Sequence, residues 1–229
     1  MQILIGIGAV LIGYILGSIP FGLLIVKFKT GKDIREVESG RTGGTNAVRA
    51  AGFGAGLLTV TLDILKGAAS VWIAQALTPQ GNLIHVLAPI AAILGHNYSL
   101  FLISRDEDGR LHFHGGAGGA PALGGAMGLW PPMFPIVVTA GALIWFTLGI
   151  ASVTTLAIGL IVIIVFGIRA FNGLQESVDV LYGLLAELLL LWALRPNIKK
   201  LLAGNERVVK LSLNGWLRAR KEARAESNK

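Results

Sequence analysis

The sequence predicts an all-α integral membrane protein with about seven transmembrane helices. Of its 229 residues, 53% are hydrophobic and only 14% are charged, which is far more apolar than a soluble domain of this size. Apolar stretches of about 20 residues, the length that crosses a bilayer, recur along the chain. We therefore expect one transmembrane domain over residues 1–195 and a basic, amphipathic cytoplasmic tail over 196–229.

Seven candidate spans follow from the apolar runs and the polar interruptions between them. The first lacks the basic start of a secretory signal and is too long for one, so we expect the helix to be retained. The fourth is short and rich in Gly and Pro, and a re-entrant or broken helix is its alternative. The spans lie at about 2–26, 55–77, 82–103, 117–133, 134–148, 152–169 and 176–194.

Basic residues predict the orientation, because Lys and Arg collect in cytoplasmic loops. The loop after the first span is rich in both, the loop after the third carries Arg105 and Arg110, and half of the 20 Lys and Arg lie between Arg195 and Lys229. These three segments share one side only if an even number of spans follows the third. Seven spans with the N-terminus outside and the C-terminus in the cytoplasm satisfy this condition. A basic tail after an apolar segment is typical of binding to anionic lipid, so we expect no nucleic-acid partner.

The chain contains no cysteine. This excludes disulfides, thiol nucleophiles and thiolate metal sites.

A glycine-rich segment, "SGRTGGTN", follows the first span at Ser39–Asn46. Glycines let backbone N–H groups approach a ligand, hydroxyl and amide groups add donors, and a nearby guanidinium grips phosphate with two parallel bonds. The pattern, with Arg49 just beyond it, favours a phosphate-binding loop. The alternative is a simple turn in which Thr45 or Asn46 caps the next helix.

Two further clusters lie at or within predicted spans. Asp63 and Lys66 are three residues apart on one face of the second span. They form either a structural ion pair or a source of positive charge beneath the loop. The fourth span begins with the segment "HGGAGGAPALGG". This segment predicts either an anion-binding nest or a site of close helix packing.

Polar residues also mark the ends of the last two spans. Ser152 and Thr154 begin the sixth span, where an N-cap is the expected role. Asn197, Lys199, Lys200 and Glu206 follow the last span and predict an interfacial helix at the membrane surface.

In this order the clusters resemble the PlsY family, the bacterial acyl-phosphate:glycerol-3-phosphate acyltransferases. The likeness covers nearly the whole chain, through "GSIPFGLLIVK", "DIREVESGRTGGTNAVRAAG", "LDILKG", "GHNY" and "NIKKLLAGNE". Ser39, Gly40, Gly43 and Asn46 match the first family motif, Ser-Gly-x-x-Gly-x-x-Asn, at every defined position.

The resemblance implies a seven-helix enzyme that moves a fatty acyl chain from acyl phosphate to the 1-hydroxyl of glycerol 3-phosphate. The products are lysophosphatidate and phosphate, in the first step of phospholipid synthesis. The implied partners are acyl phosphate, glycerol 3-phosphate and membrane lipids, with no metal, other cofactor or protein partner. The implied place is the bacterial inner membrane, with the active site facing the cytoplasm.

The resemblance also implies which residues act. The expected catalytic residues are Ser39, Asn46, Arg49 and Asn197. The expected substrate-binding residues are Gly40, Gly43, Gly44, Thr45, Lys66, Gly115, Gly116, Gly118, Ser152, Lys200 and Glu206.

The chain departs from the family pattern at three positions. Ala117 stands where the second motif, Gly-Gly-Lys-Gly, has its lysine, and Leu194 stands where a histidine precedes Asn197 by three residues. Lys200 replaces an arginine and so lacks the bidentate fork. The hypothesis from sequence is that another cation supplies part of the missing charge. The candidates are Lys66, Arg110, His112 and His114.

Two other functions remain as alternatives. One is a family member that has lost catalysis and binds phospholipid or acyl phosphate. The other is a transporter of a small phosphorylated solute, since intramembrane charges and Gly-broken helices also suit transport. Against transport, the polar clusters gather on one predicted side of the membrane, and the sequence shows no internal repeat.

Overall fold

The computed structural model describes residues 1–209 and 212–227, which are mostly helical and include one short hairpin. In that hairpin β1, Ile103–Arg105, pairs antiparallel with β2, Leu111–Phe113. The helices are α1 Gln2–Ser18, α2 Phe21–Thr30, α3 Gly44–Ala51, α4 Phe53–Leu77, α5 Asn82–Asn97, α6 Gly119–Leu129, α7 Met133–Leu148, α8 Ala151–Phe171, α9 Val178–Leu202 and α10 Leu213–Ser227.

Helical segments of membrane-crossing length confirm that the chain is a helical membrane protein. By length and composition four of them can cross a bilayer, and α7 is a shorter apolar helix. With its eleven residues α6 is only about 17 Å long, roughly half the hydrocarbon thickness, so the predicted span 117–133 contains a short helix. The four segments are Gln2–Thr30, Phe53–Leu77, Asn82–Leu102 and Ala151–Phe171.

The first predicted span, 2–26, is two helices and not one. The break falls at Ile19 and Pro20, because proline has no N–H to continue the helical hydrogen bonding. The break exposes the carbonyl of Ile19, which accepts a hydrogen bond from Lys66 Nζ at 2.9 Å. A charged side chain of α4 therefore finds a partner inside the apolar bundle.

Close backbone contacts hold the helices together. A Cβ atom added at Gly13 or Gly17 of α1 would collide with the backbone of α5, and one added at Gly124 of α6 would collide with the backbone of α4. Helices in lipid gain stability from such close approach, since the lipid tails are as apolar as leucine. Large apolar side chains such as Leu143 and Ile164 point outward, as expected for surfaces that face hydrocarbon.

The last part of the chain differs from the prediction. The interfacial helix expected after residue 195 is instead the continuation of α9, which runs unbroken to Leu202 and carries Asn197 and Lys200. Glu206 lies beyond that helix, in a segment that turns at Gly204 and folds back toward α8. The N–H of Val209 in this segment donates to Gly149 O at 2.8 Å. The fold therefore brings the end of α9 to the start of α8.

Candidate active site

A cavity of about 800 Å³ opens between the loop that precedes α3, the starts of α6 and α8, and the end of α9. One part of it, the cationic end, is lined by Arg41, Arg49, Lys200 and Arg207. The other part, the apolar arm, is lined by Val137, Gly141, Ala142, Trp145, Phe146 and Ile158. One compartment thus joins a positively charged mouth to a hydrophobic channel between helices.

The glycine-rich loop forms one wall of the cationic end. Helix α3 begins at Gly44 with Gly43 as its N-cap and without a side-chain cap bond, so the alternative in which Thr45 or Asn46 caps the helix is wrong. The backbone turns at Gly40, whose φ of 67° suits glycine. Ser39, Gly43, Gly44 and Thr45 all line the cavity.

Asn46 fixes the shape of this loop. Its side chain is only 2% exposed, and Nδ2 donates to three carbonyl oxygens, those of Ile34 at 3.1 Å and of Val37 and Arg41 at 2.9 Å. Buried amides are costly unless they are hydrogen-bonded, so these bonds commit the amide nitrogen to the loop. The structure gives Asn46 the role of a clamp that holds the loop in shape, and Asn46 also lines the cavity.

Arg41 reaches from the loop across to α9. Its Nη2 donates to Ala193 O at 2.7 Å, and the neighbouring Thr42 N–H donates to Gly115 O at 3.2 Å. Burial lowers the pKa of Arg41, and Glu206 partly opposes this effect. A guanidinium titrates so far above neutrality that Arg41 stays charged. From the sequence, Arg41 contributed only to the predicted membrane orientation and was not expected to be a site residue.

A polar network joins α8, α9 and the segment after α9. Glu206 Oε1 accepts a hydrogen bond from Asn197 Nδ2 at 2.9 Å and one from Ser152 Oγ at 3.3 Å. The N-cap of α8 is Ile150, so the expected role of Ser152 as a helix cap is wrong. All three predicted residues meet at the cavity wall, although Glu206 is 54 residues from Ser152 in sequence.

Carboxylates balance only part of the charge at the mouth, where Glu38 and Glu206 face four cations. Arg207 forms an ion pair with Glu38, and Glu206 is engaged by Asn197 and Ser152. Within the described residues Arg41, Arg49 and Lys200 form no ion pair with a carboxylate. Three cations at one end of a cavity favour a ligand that carries more than one negative charge.

Lys66 lies behind the wall of the cavity and does not line it. Its Nζ is 2.7 Å from Asp63 Oδ1 and 3.0 Å from His96 Nδ1, and its side chain is 3% exposed. The ion pair that the sequence suggested is therefore present. Asp63 and His96 do line the cavity, and His96 was missed as a site residue because it lies in another helix.

The three positions that depart from the family pattern all face the cavity, and so does Gly118. Ala117, Leu194 and Lys200 are among its lining residues. Gly118, with a φ of 92°, is the N-cap of α6. The N–H groups of the first turn of α6 have no partner within the helix, so they add donors next to Ala117.

Gly115 and Gly116 do not line this cavity but a neighbouring pocket. A Cβ atom at Gly115 would collide with His96 O, and one at Gly116 would collide with the His96 ring. Glycine at these two positions therefore allows close packing against the end of α5.

The hairpin residues proposed from sequence to supply charge lie elsewhere. His112 Nε2 is 2.8 Å from Asp106 Oδ2, and this contact holds the pKa of Asp106 below its ordinary value. His114 Nε2 is 3.0 Å from Ser104 Oγ. Arg110, His112 and His114 are absent from the lining of the cavity, so that part of the hypothesis is wrong.

The clamp formed by Asn46 gives a testable prediction. Replacing Asn46→Asp turns a donor to three carbonyls into an acceptor, and we expect it to cost about 3 kcal/mol of folding free energy and to open the loop to trypsin. Asn172→Asp is the matched control, because Asn172 Nδ2 donates to a single carbonyl at an exposed site. Equal melting temperatures and cleavage rates for the two variants would contradict the clamp.

The chain is similar to known acyltransferases over most of its length. The family model described as "Glycerol-3-phosphate acyltransferase" matches residues 7–204. A glycerol-3-phosphate acyltransferase of Rubrobacter xylanophilus is 36% identical over 198 residues, covering 86% of this chain and 92% of the relative. A glycerol-3-phosphate acyltransferase of Myxococcus xanthus is 34% identical, covering 86% of this chain and 96% of the relative.

Two crystal structures of PlsY, described as an integral membrane glycerol 3-phosphate acyltransferase, share the fold. The glycerol 3-phosphate form superposes with a TM-score of 0.75 at 29% identity, covering 89% of this chain and 95% of that one. The lysophosphatidic acid form superposes with a TM-score of 0.74 at 27% identity, covering 90% of this chain and 96% of that one. From the fold, the cavity and these matches together, the chain belongs to the glycerol-3-phosphate acyltransferase family.

Proposed function

We propose that the protein transfers a fatty acyl chain from acyl phosphate to the 1-hydroxyl of glycerol 3-phosphate. The observation that carries this proposal is the single cavity in which a cationic end continues into an apolar arm. Glycerol 3-phosphate is a small dianion, whereas acyl phosphate combines a phosphate with a long chain. A cavity with both properties can hold the two substrates with their reacting atoms adjacent.

The apolar arm suits the acyl chain. Trp145 and Phe146 of α7 and Ile158 of α8 line it, and nothing lies closer than 3.9 Å to a Cβ atom placed at Gly141. The outer faces of the same helices carry exposed apolar residues such as Leu143. A chain can therefore lie between α7 and α8 without leaving the hydrophobic part of the membrane.

The cationic end suits the two phosphates. Arg41, Arg49 and Lys200 lack carboxylate partners within the described residues, and the N-terminus of α6 points donors into the same space. Ser39 Oγ lies on the loop edge and can donate to a phosphate or to the acyl carbonyl. Such preorganised donors stabilise charge that develops as the reaction proceeds.

The proposed reaction needs no oxidation or reduction. The 1-hydroxyl oxygen of glycerol 3-phosphate attacks the carbonyl carbon of acyl phosphate, and the bond from that carbon to the phosphate oxygen breaks. The hydroxyl proton passes to an oxygen of the departing phosphate. With Leu194 in the wall no imidazole stands there, so the phosphate itself serves as the proton acceptor in this proposal.

We further propose seven crossings, with the N-terminus outside, the C-terminus inside and the active site facing the cytoplasm of a bacterium, at its inner membrane. The contact of Arg41 with Ala193 and that of Thr42 with Gly115 support this layout. They join the first basic loop, the end of the hairpin and the end of α9 at one end of the bundle. Lys200 and Arg207, the first part of the predicted basic tail, lie at the same end.

Topology reporters test this layout. A reporter active only in the cytoplasm should work when fused after the C-terminus and fail when fused before Met1, and a periplasmic reporter should show the reverse. Activity of one reporter at both termini would contradict an odd number of crossings.

Turnover tests the reaction. The purified protein in lipid, given acyl phosphate, should release inorganic phosphate only when glycerol 3-phosphate is present. Ser39→Ala removes a donor at the reacting centre, and we expect a loss of about 100-fold in rate. Ser104→Ala, which removes a hydroxyl bonded to His114 outside the cavity, should retain the wild-type rate.

The outcomes separate the alternatives. Phosphate release equal to that of Ser39→Ala, with binding of acyl phosphate retained, would assign the chain to the non-catalytic alternative. Release in the absence of glycerol 3-phosphate would point to another acceptor. Uptake of a phosphorylated solute into proteoliposomes would assign it to transport.

A further inference from the structure

A second, smaller pocket of about 280 Å³ lies on the other side of the glycine-rich loop. It is enclosed by the end of α5, the strand end at Phe113–Gly116 and the Trp192–Pro196 part of α9. Ser39 and Arg41 line this pocket as well as the main cavity, so the loop forms the wall between them. The proposed reaction does not use this pocket.

The pocket is electropositive. Arg41, Arg195 and His114 line it, and none of its described lining residues is Asp or Glu. The guanidinium of Arg195 stacks on the Trp192 ring at 3.7 Å, and Arg195 makes no ion pair within the described part of the chain. Stacking fixes the guanidinium plane and leaves its N–H groups for an anionic ligand.

A buried amide borders the same pocket without opening into it. Asn97 is 6% exposed, and neither its Nδ2 nor its Oδ1 has a hydrogen-bond partner within the described residues. A Cβ atom added at Gly118 would lie 2.9 Å from Oδ1 and 3.2 Å from Nδ2, so the amide is directed toward the start of α6. The stacked guanidinium of Arg195 is therefore the main group that this pocket offers to a phosphate.

The outer face of α9 leads to this pocket. Leu184, Leu188 and Leu191 are exposed at helical spacing, and Arg195 continues the same row. The distance along the helix from Val178 to Arg195 is about 26 Å, close to the thickness of the hydrocarbon core. A lipid chain lying along the leucines would bring its headgroup to the level of Arg195.

We infer that this pocket binds the phosphate headgroup of an anionic glycerophospholipid whose acyl chains lie on the Leu184–Leu191 row of α9. Arg195 contacts the phosphate, and Trp192 lies at the membrane interface, where its amphipathic ring is favoured. This lipid site is separate from the site of acyl transfer and lies on the other side of the glycine-rich loop. Lipid bound there would restrain the loop that carries Ser39 and Arg41.

Lipid retention tests the inference. Protein purified from nanodiscs that mix phosphatidylglycerol and phosphatidylcholine should keep phosphatidylglycerol, as counted by native mass spectrometry. Arg195→Ala should weaken phosphatidylglycerol binding about fivefold, the effect of one cation near a membrane surface. Arg195→Lys should bind phosphatidylglycerol more weakly than the wild type and more tightly than Arg195→Ala, since lysine keeps the charge but lacks the planar guanidinium.

A control variant separates the site from general effects. Arg169→Ala is the matched control, because Arg169 stacks on Trp130 at 3.9 Å but does not line the pocket, and it should bind lipid as the wild type does. Arg195→Ala and Arg169→Ala are both checked for an unchanged melting temperature.

Equal retention by the wild type and Arg195→Ala would overturn the inference. So would binding of inorganic phosphate that depends on Arg195 while phosphatidylglycerol and phosphatidylcholine are retained alike, because that would assign the pocket to free phosphate. The readout does not need turnover. Retention of phosphatidylglycerol by a protein that releases no phosphate from acyl phosphate would count against the proposed function alone.

Discussion

The rest of the site depends on the hydrogen bonds of one buried amide. Asn46 Nδ2 draws the carbonyls of Ile34, Val37 and Arg41 together, and these bonds set the path of the glycine-rich loop. Because the loop is held there, the Arg41 side chain can reach Ala193 of α9. The mouth of the cavity is therefore formed by segments that are far apart in sequence and are joined through one clamp.

This arrangement lets one cavity serve a water-soluble and a lipid-soluble molecule. The cations stand at the end of the bundle, where the loop meets α9, and the apolar arm begins directly below them between α7 and α8. Charges in hydrocarbon are costly, and deeper in the bundle Lys66 is paired with Asp63 and with the carbonyl of Ile19. The unpaired positive charge is concentrated where a phosphate can enter from water.

Local patterns were enough to predict much of this protein. Apolar runs predicted helices, and the family resemblance implied a common site for Ser39, Ser152 and Asn197, which all line the cavity. The features that the sequence did not predict are contacts between residues that are far apart in the chain. The bond from Arg41 to Ala193 spans 152 residues, and the segment after α9 bonds through the Val209 N–H to Gly149 O, 60 residues earlier. No periodicity or motif in a single sequence contains such pairings.

Photolabelling with an acyl phosphate analogue that carries a diazirine at the end of its chain tests the central claim, that phosphate and chain occupy the two ends of one cavity. The account predicts labels on α7 and α8, around Trp145, Phe146 and Ile158, and their loss when unlabelled acyl phosphate is added in excess. Labels on α1 or on the outer face of α9, with α7 and α8 unlabelled, would contradict it.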